Sequence, residues 1–200
     1  MKKSHTLSLS MPIIWMAGFS ILFCVGCGGS VDPEVAKLRS LLSDSDAGAR
    51  RSAAKDLAEM GVRAAPAVSE LGKCLSDEDR DVRYRAIKAL SKIGQPSKKA
   101  INELTDALLN DSDEQIRYYC AKTIDEFADD AAPAVEALTK ALSDDFAKVR
   151  YYASKTLGKI GKESHTAIPT LEKLLKDNDE SVRKSAESAI RRIKKKQTAS

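Results

Sequence analysis

Three tyrosines, Tyr84, Tyr118 and Tyr151, stand 34 and 33 residues apart, and each has a lysine four positions further on: Lys88, Lys122 and Lys155. Tyr119 and Tyr152 directly follow two of them, which accounts for all five tyrosines of the chain. A phenol ring offers apolar area with a hydroxyl at its edge, and an ammonium group attracts acids over a longer range. This is the chemistry of recognition. Catalysis by side chains needs a nucleophile, a base and a group that orients the base. Of the two histidines, His5 belongs to the N-terminal leader and His165 lies in a loop near the end of the chain. Neither Cys74 nor Cys120 has an apparent histidine partner. The glycines form no phosphate loop, and the cysteines lack metal-ligand spacing. No catalytic, cofactor-binding or metal-binding residue is assigned, so the expected role is noncatalytic and cofactor-free.

The tyrosines are one column of a wider pattern. Arg50, Arg83, Arg117, Arg150 and Arg183 recur at intervals of 33, 34, 33 and 33 residues. An aspartate precedes each by six positions (Asp44, Asp77, Asp111, Asp144, Asp177), and a small residue follows by three (Ala53, Ala86, Cys120, Ala153, Ala186). An aliphatic follows by seven: Leu57, Leu90, Ile124, Leu157 and Ile190. A fixed period of this length marks stacked supersecondary units, here five of them. Aromatics make up only 5% of the chain and charged residues 31%, with both signs interspersed, as suits helices packed through small side chains. Removing Lys2 and Lys3 lowers the formal charge of +4 to +2, which gives no general drive toward nucleic acid.

Each unit divides into two amphipathic helices. Leucines four apart define one face of the first: Leu38 with Leu42, Leu71 with Leu75, Leu104 with Leu108, Leu138 with Leu142, Leu171 with Leu175. In the second helix, Val82, Ala86, Leu90 and Ile93 form a buried stripe, repeated as Ile116, Cys120, Ile124 and Phe127 and as Val149, Ala153, Leu157 and Ile160. Cys74 and Cys120 fall in apolar columns and are expected to be small buried hydrophobes. Asp32, Asp46, Asp79, Asp113 and Asp179 are candidate N-caps, with Phe146 breaking the column. Gly61, Gly94 and Gly161 follow the last apolar residue of their helices, where left-handed geometry favours glycine.

The run Asp-x-Asp-x-x-Val-Arg-x-x-Ala-x-x-x-Leu-x-x-Ile-Gly, nearly whole from Asp77 to Gly94 and from Asp144 to Gly161, resembles the HEAT-like repeats of phycobilisome-lyase-type and many bacterial proteins. The segment Ile168 to Asp177 is similar to that family's first helix. The resemblance implies an all-α fold, a right-handed α-solenoid of five HEAT-like helical hairpins over residues 33–196, with the second helices lining the concave side. The Asp and Arg columns would then form ladders across the repeat turns. At about 100° per residue, the position after each arginine points away from the buried stripe, as does the position four further on. Tyr84, Tyr118, Tyr151, Lys88, Lys122 and Lys155 are therefore expected to face the groove, with Tyr119 and Tyr152 flanking it. The expected partner is another protein, presenting an acidic or extended segment. Two alternatives stay open: duplication copied a harmless pattern, or the chain is a lyase or chromophore-handling enzyme of the HEAT-like class.

Ahead of the repeats, Lys2 and Lys3 precede an apolar stretch from Met11 to Val25 that reads as an export signal over residues 1–26. Its end, Cys24-Val25-Gly26-Cys27-Gly28-Gly29-Ser30, resembles the lipobox of bacterial lipoproteins, with Cys24 where leucine is usual. The resemblance implies a lipidated Cys27 and a short tether over 27–32, hence a lipid-anchored protein of the bacterial envelope. An uncleaved signal anchor and a secreted product are the alternatives. Residues 197–200 form a short tail after a basic end, Arg191, Arg192, Lys194, Lys195 and Lys196, which suits a helix C-terminus.

Overall fold

The computed structural model describes residues 32–198, within the compact unit Val31–Ser200. The leader and Cys27 lie outside the described residues. No helix among the described residues is long and apolar enough to cross a membrane.

Ten α-helices pair into five hairpins, and no strand occurs among the described residues. The pairs are α1 (Pro33–Leu41) with α2 (Ala47–Met60), and α3 (Val68–Lys73) with α4 (Arg80–Ile93). Next come α5 (Ile101–Asn110) with α6 (Glu114–Glu126), and α7 (Val135–Ala141) with α8 (Ala147–Ile160). The last pair is α9 (Ile168–Lys173) with α10 (Glu180–Thr198). They stack as a right-handed α-solenoid. The second helices form an unbroken layer, α2 to α4 to α6 to α8 to α10, more tightly packed than the layer of first helices.

The starts of these helices follow from the aspartates. Asp32 accepts from the Glu34 amide at 3.0 Å, and Asp79 from the Val82 amide at 2.9 Å. Asp113 accepts from the amides of Gln115 and Ile116, and Asp179 from those of Ser181 and Val182. Each such cap satisfies amides the helix cannot, worth about 1 kcal/mol. Phe146 supplies no side-chain cap to α8. At the other end Gly94 has φ 77° and ψ −136°. Its φ is positive as expected, but its ψ lies outside the left-handed helical region, in territory that is essentially glycine's alone.

The stripes expected from the sequence form the core: Val82, Ala86, Leu90, Ile116, Cys120, Ile124, Val149, Ala153 and Leu157 are fully buried. Cys74 and Cys120 are buried free thiols, and burial pushes the Cys74 thiol up to about 11. Leu175 departs from its column. Leu42, Leu75, Leu108 and Leu142 are buried, whereas Leu175 is 42% exposed. Interior leucines of this column are covered by the next repeat, as the thiol of Cys74 against the Leu42 carbonyl illustrates. Among the described residues no repeat follows α10 to cover Leu175.

The extra residue in the third unit has a definite place. The amides of Asp44, Asp77, Asp144 and Asp177 bond three residues back, closing a tight final turn, whereas that of Asp111 bonds four back to Ala107. One added residue thus turns a 3-10 ending into an α ending. The seam beyond it is unchanged.

That seam is the arginine ladder. Arg117 donates from Nε to Asp144 Oδ2 at 2.7 Å and from a terminal nitrogen to Oδ1 at 3.1 Å. Its other terminal nitrogen reaches the Asp111 carbonyl at 3.0 Å. The same clamp joins Arg50 to Asp77, Arg83 to Asp111 and Arg150 to Asp177. Arg183 binds the carbonyls of Asp177 and Asn178, with no carboxylate of a following repeat to clamp among the described residues. A planar guanidinium that holds a carboxylate by two bonds and two carbonyls besides fixes both the spacing of neighbouring repeats and the rotation of each second helix.

Candidate functional site

With each arginine pinned in the seam, the following side chain turns about 100° toward the open face of the second helices. Tyr84, Tyr118 and Tyr151 take that direction but do not stand free. All five tyrosines are half-buried, and Tyr84, Tyr118, Tyr119 and Tyr152 lean against the core. Neighbouring helices lie roughly 8–10 Å apart, close enough for a phenol ring to cross from one repeat to the next.

The rings form one continuous ladder. Tyr84 meets Tyr119 edge-on at 5.2 Å between centroids, Tyr119 meets Tyr118 at 4.7 Å, Tyr118 meets Tyr152 at 5.6 Å, and Tyr152 meets Tyr151 at 5.1 Å. Phe146, the residue that interrupts the capping column, abuts Tyr118 at 6.3 Å. A hydrogen bond with Tyr84, and then burial, raises the hydroxyl pKa of Tyr119; burial does the same for Tyr152. Both hydroxyls stay protonated at neutral pH.

Cations edge the ladder. Lys88 lies 5.8 Å over the ring of Tyr119, Lys148 5.4 Å over Tyr118, Lys155 5.1 Å over Tyr152, and Arg80 5.9 Å over Tyr84. The sequence reading gave Lys155 the same role as Lys88 and Lys122, but Lys155 binds Asp125 Oδ2 at 2.8 Å, which raises its pKa. Lys159 binds the other oxygen of Asp125 at 2.9 Å. Asp125 is only 6% exposed and was not singled out from the sequence. Its column could have betrayed it, since the equivalent positions are Ala58, Ser91, Gly158 and Arg191.

Three depressions mark this face. The first, about 470 Å³, lies between α2 and α4 and is lined by Lys55, Glu59, Tyr84, Arg85, Lys88 and Lys92. The second, about 380 Å³, exposes Tyr118, Tyr151 and Tyr152 beside Lys148 and Asp179. The third, about 400 Å³, lies between α8 and α10, where Lys155, Lys184 and Arg192 surround three serines and Tyr151. Together their linings carry eight basic residues (Lys55, Arg85, Lys88, Lys92, Lys148, Lys155, Lys184, Arg192) against two acids, Glu59 and Asp179. Across the whole chain the figures are 33 and 29. Charge is therefore segregated onto the second-helix face, which the near-neutral total concealed. Lys122 occupies the column of Lys55, Lys88 and Lys155 on α6 but lines none of the three depressions.

No group of residues that could hold a metal ion occurs among the described residues. His165 is exposed in the turn before α9, its ring nitrogen 3.2 Å from the Lys162 carbonyl and remote in sequence from the tyrosines.

A family model described as HEAT repeats matches residues 35–107 and 101–191. Comparison with curated proteins gives no match. Among solved structures, an engineered protein is 29% identical, with a TM-score of 0.61, over 80% of this chain and 79% of its own. The complex of CpcE and CpcF of phycocyanin lyase from Nostoc sp. PCC7120 is 25% identical, with a TM-score of 0.64, over 88% of this chain and 70% of that one. The Cnd3-Cnd2 condensin subcomplex of S. pombe, at 20% identity and a TM-score of 0.57 over 84% of this chain and 26% of that one, shares the fold.

Proposed function

The chain belongs to the HEAT-repeat family, and from that premise we propose that it is a noncatalytic scaffold, tethered to a membrane through Cys27, whose second-helix face holds an acidic segment of another protein. The observation that carries this is the coincidence on one face of eight cations, two acids and a five-ring tyrosine ladder. Half-buried rings present area at low entropic cost, because packing has already fixed them. Surrounding cations draw an acidic partner and orient it. Two of the structural neighbours, CpcE with CpcF and Cnd3 with Cnd2, are seen in complexes with other proteins, which supports a protein partner.

The tether rests on the sequence at Gly26-Cys27 and the short stretch after it. From Cys27 to Pro33 an extended chain spans about 20 Å at most, so partners would be met close to the bilayer. Mass spectrometry of the mature protein tests this: an acylated N-terminal Cys27 is expected, and an intact Met1 or an unmodified Cys27 removes the anchor. Capture from native membranes with cross-linking tests the face. Tyr118→Ala/Tyr151→Ala is expected to lose the partner retained by the wild type, and equal recovery would count against the proposal.

The likeness to a phycocyanin lyase complex favours a second reading, handling of a chromophore. A visible absorbance band on the protein after passage of cell extract would support it over the scaffold.

A further inference from the structure

Resting on the reading of the second-helix face as a binding surface, we infer that the segment it holds is bipartite, with acidic residues at both ends and about eight apolar or aromatic residues between them. The charges on this face are not spread evenly. The depression between α2 and α4 has four basic residues and one acid, a net of +3. That between α8 and α10 has three basic residues and no acid in its lining, again +3. The depression on the aromatic rungs pairs one lysine with one aspartate and nets zero. On α6, midway, Lys122 has an acid, Glu126, one turn on, whose carboxylate accepts from the Ser91 hydroxyl of α4. Between the two cationic ends runs the ladder from Tyr84 to Tyr151.

An acid placed in the middle depression would meet phenol rings with Lys148 offset by Asp179, losing solvation for less return than at the ends. The same acid meets Arg85, Lys88 and Lys92 at the α2/α4 end, and Arg192 with two ion-paired lysines at the α8/α10 end. Apolar side chains fit the rungs, gaining area on the rings, of which Tyr84 and Tyr151 also line the two end depressions. The distance between the ends follows from the stack. The midpoints of the α2/α4 and α8/α10 pairs are three helix spacings apart, roughly 24–30 Å at 8–10 Å each. An extended chain advances about 3.3 Å per residue, so seven to nine residues bridge them.

The third depression already contains its own counter-charges: Asp125 holds Lys155, and Glu180 lies within ion-pair reach of Lys184. An incoming carboxylate there competes with Glu180, which is exposed, more readily than with buried Asp125. Arg192, with three serine side chains around it, is the anchor at that end.

The test uses the full chain in detergent and fluorescent synthetic peptides read by anisotropy. One peptide has three glutamates at each end of an eight-residue core of Leu, Phe, Ser and Gly. A second has the same composition with all six glutamates in the centre, and two more shorten or lengthen the core to four and twelve residues. The two-ended peptide with the eight-residue core is expected to bind at least tenfold more tightly than the permuted one and more tightly than either length variant. Arg85→Glu/Lys92→Glu and Lys184→Glu/Arg192→Glu are each expected to weaken it about tenfold, with helicity unchanged. If both orders bind equally while the charge reversals still weaken them, the bipartite layout is wrong and the acidic-segment reading survives. If no peptide binds, or the reversals change nothing, the binding face itself is misassigned. Tighter binding of a single-stranded oligonucleotide of similar length than of any peptide overturns both in favour of a polyanion site.

Discussion

Asp125 holds two ammonium groups at once, Lys155 and Lys159 at 2.8 and 2.9 Å, with the Thr156 hydroxyl as a third donor at 3.3 Å. It therefore decides where both lysines rest. Breaking a buried ion pair usually costs about 3–5 kcal/mol, because the surviving charge is stranded. Here both lysine side chains retain about a third of their exposure and can return to water. Asp125→Asn is expected to destabilise by only about 1–2 kcal/mol in urea unfolding, while strengthening binding of the acidic peptides by freeing Lys155. A loss above about 3 kcal/mol would mean that the lysines cannot swing out. At this scale the sequence was only partly legible. The column of tyrosines could be read from spacing alone, because each helix repeats its own phase. The ring-to-ring contacts and the capture of Lys155 could not, since both join side chains of different repeats and depend on how close the helices come.

Helices were legible almost to their ends. Aspartate caps and buried stripes are local chemistry, and the structure follows them at Asp79, Asp113 and Asp179. The 3-10 endings were legible only as a difference in length: the one unit with an added residue closes its first helix four back at Asp111 and the other four close three back, but spacing alone does not say which hydrogen bond each length makes. The seam itself makes a prediction about acid. The Arg150 hydrogen bond, opposed by burial and helped by the Asp179 amide, holds the Asp177 carboxyl below the usual carboxylate range; at Asp77 burial pushes upward most strongly, but Arg50 and the Asp79 amide together outweigh it and the carboxyl is also lowered. A carboxyl whose folded pKa is depressed adds stability that is complete above its unfolded value of about 3.9 and is lost as pH falls through the folded one. Urea midpoints are therefore expected to hold steady from pH 7 to about 5 and to fall steeply below about 4, with a shallower fall in Arg150→Gln. Identical acid profiles would show that the ladder is not ionic in effect. Between α8 and α10 the governing contact is Gly158. A methyl there would lie 2.8 Å from the Ala189 Cα, a backbone atom that cannot step aside. Alanine gains about 1 kcal/mol of helix propensity over glycine, but overpacking costs about 1–3 kcal/mol. Gly158→Ala is expected to lower the urea midpoint, and a raised midpoint would mean that the two helices are free to part.

At the scale of the array, what a residue does depends on which repeat it occupies as much as on its column. Columns buried in the interior hold charges at the ends. Ile87, Ala121 and Ser154 are buried, yet their equivalent on α10 is the exposed Glu187. Ala89, Thr123 and Thr156 are buried, and their equivalent on α2 is the half-buried Asp56. Such polar outer faces keep a stack of sticky units soluble. The number of units and their order were readable from the period, whereas the sorting of basic residues onto one face was hidden by a net charge of only +4. Leu142 and Leu175 separate column from place most sharply, being 1% and 42% exposed at equivalent positions. Burying a lysine at Leu142 would remove a packed side chain worth about 2–5 kcal/mol and desolvate an ammonium group besides. Unfolding of the fourth repeat then deprives both neighbours of an interface, so Leu142→Lys is expected to abolish the cooperative transition. Leu175→Lys removes only a half-covered leucine and extends the charged cap, and it should shift the midpoint by no more than about 0.5 kcal/mol. Both variants are read in one thermal or urea series by circular dichroism. If Leu175→Lys proved as damaging as Leu142→Lys, that leucine would have to be covered in solution, and the end of α10 would be an interface rather than a cap.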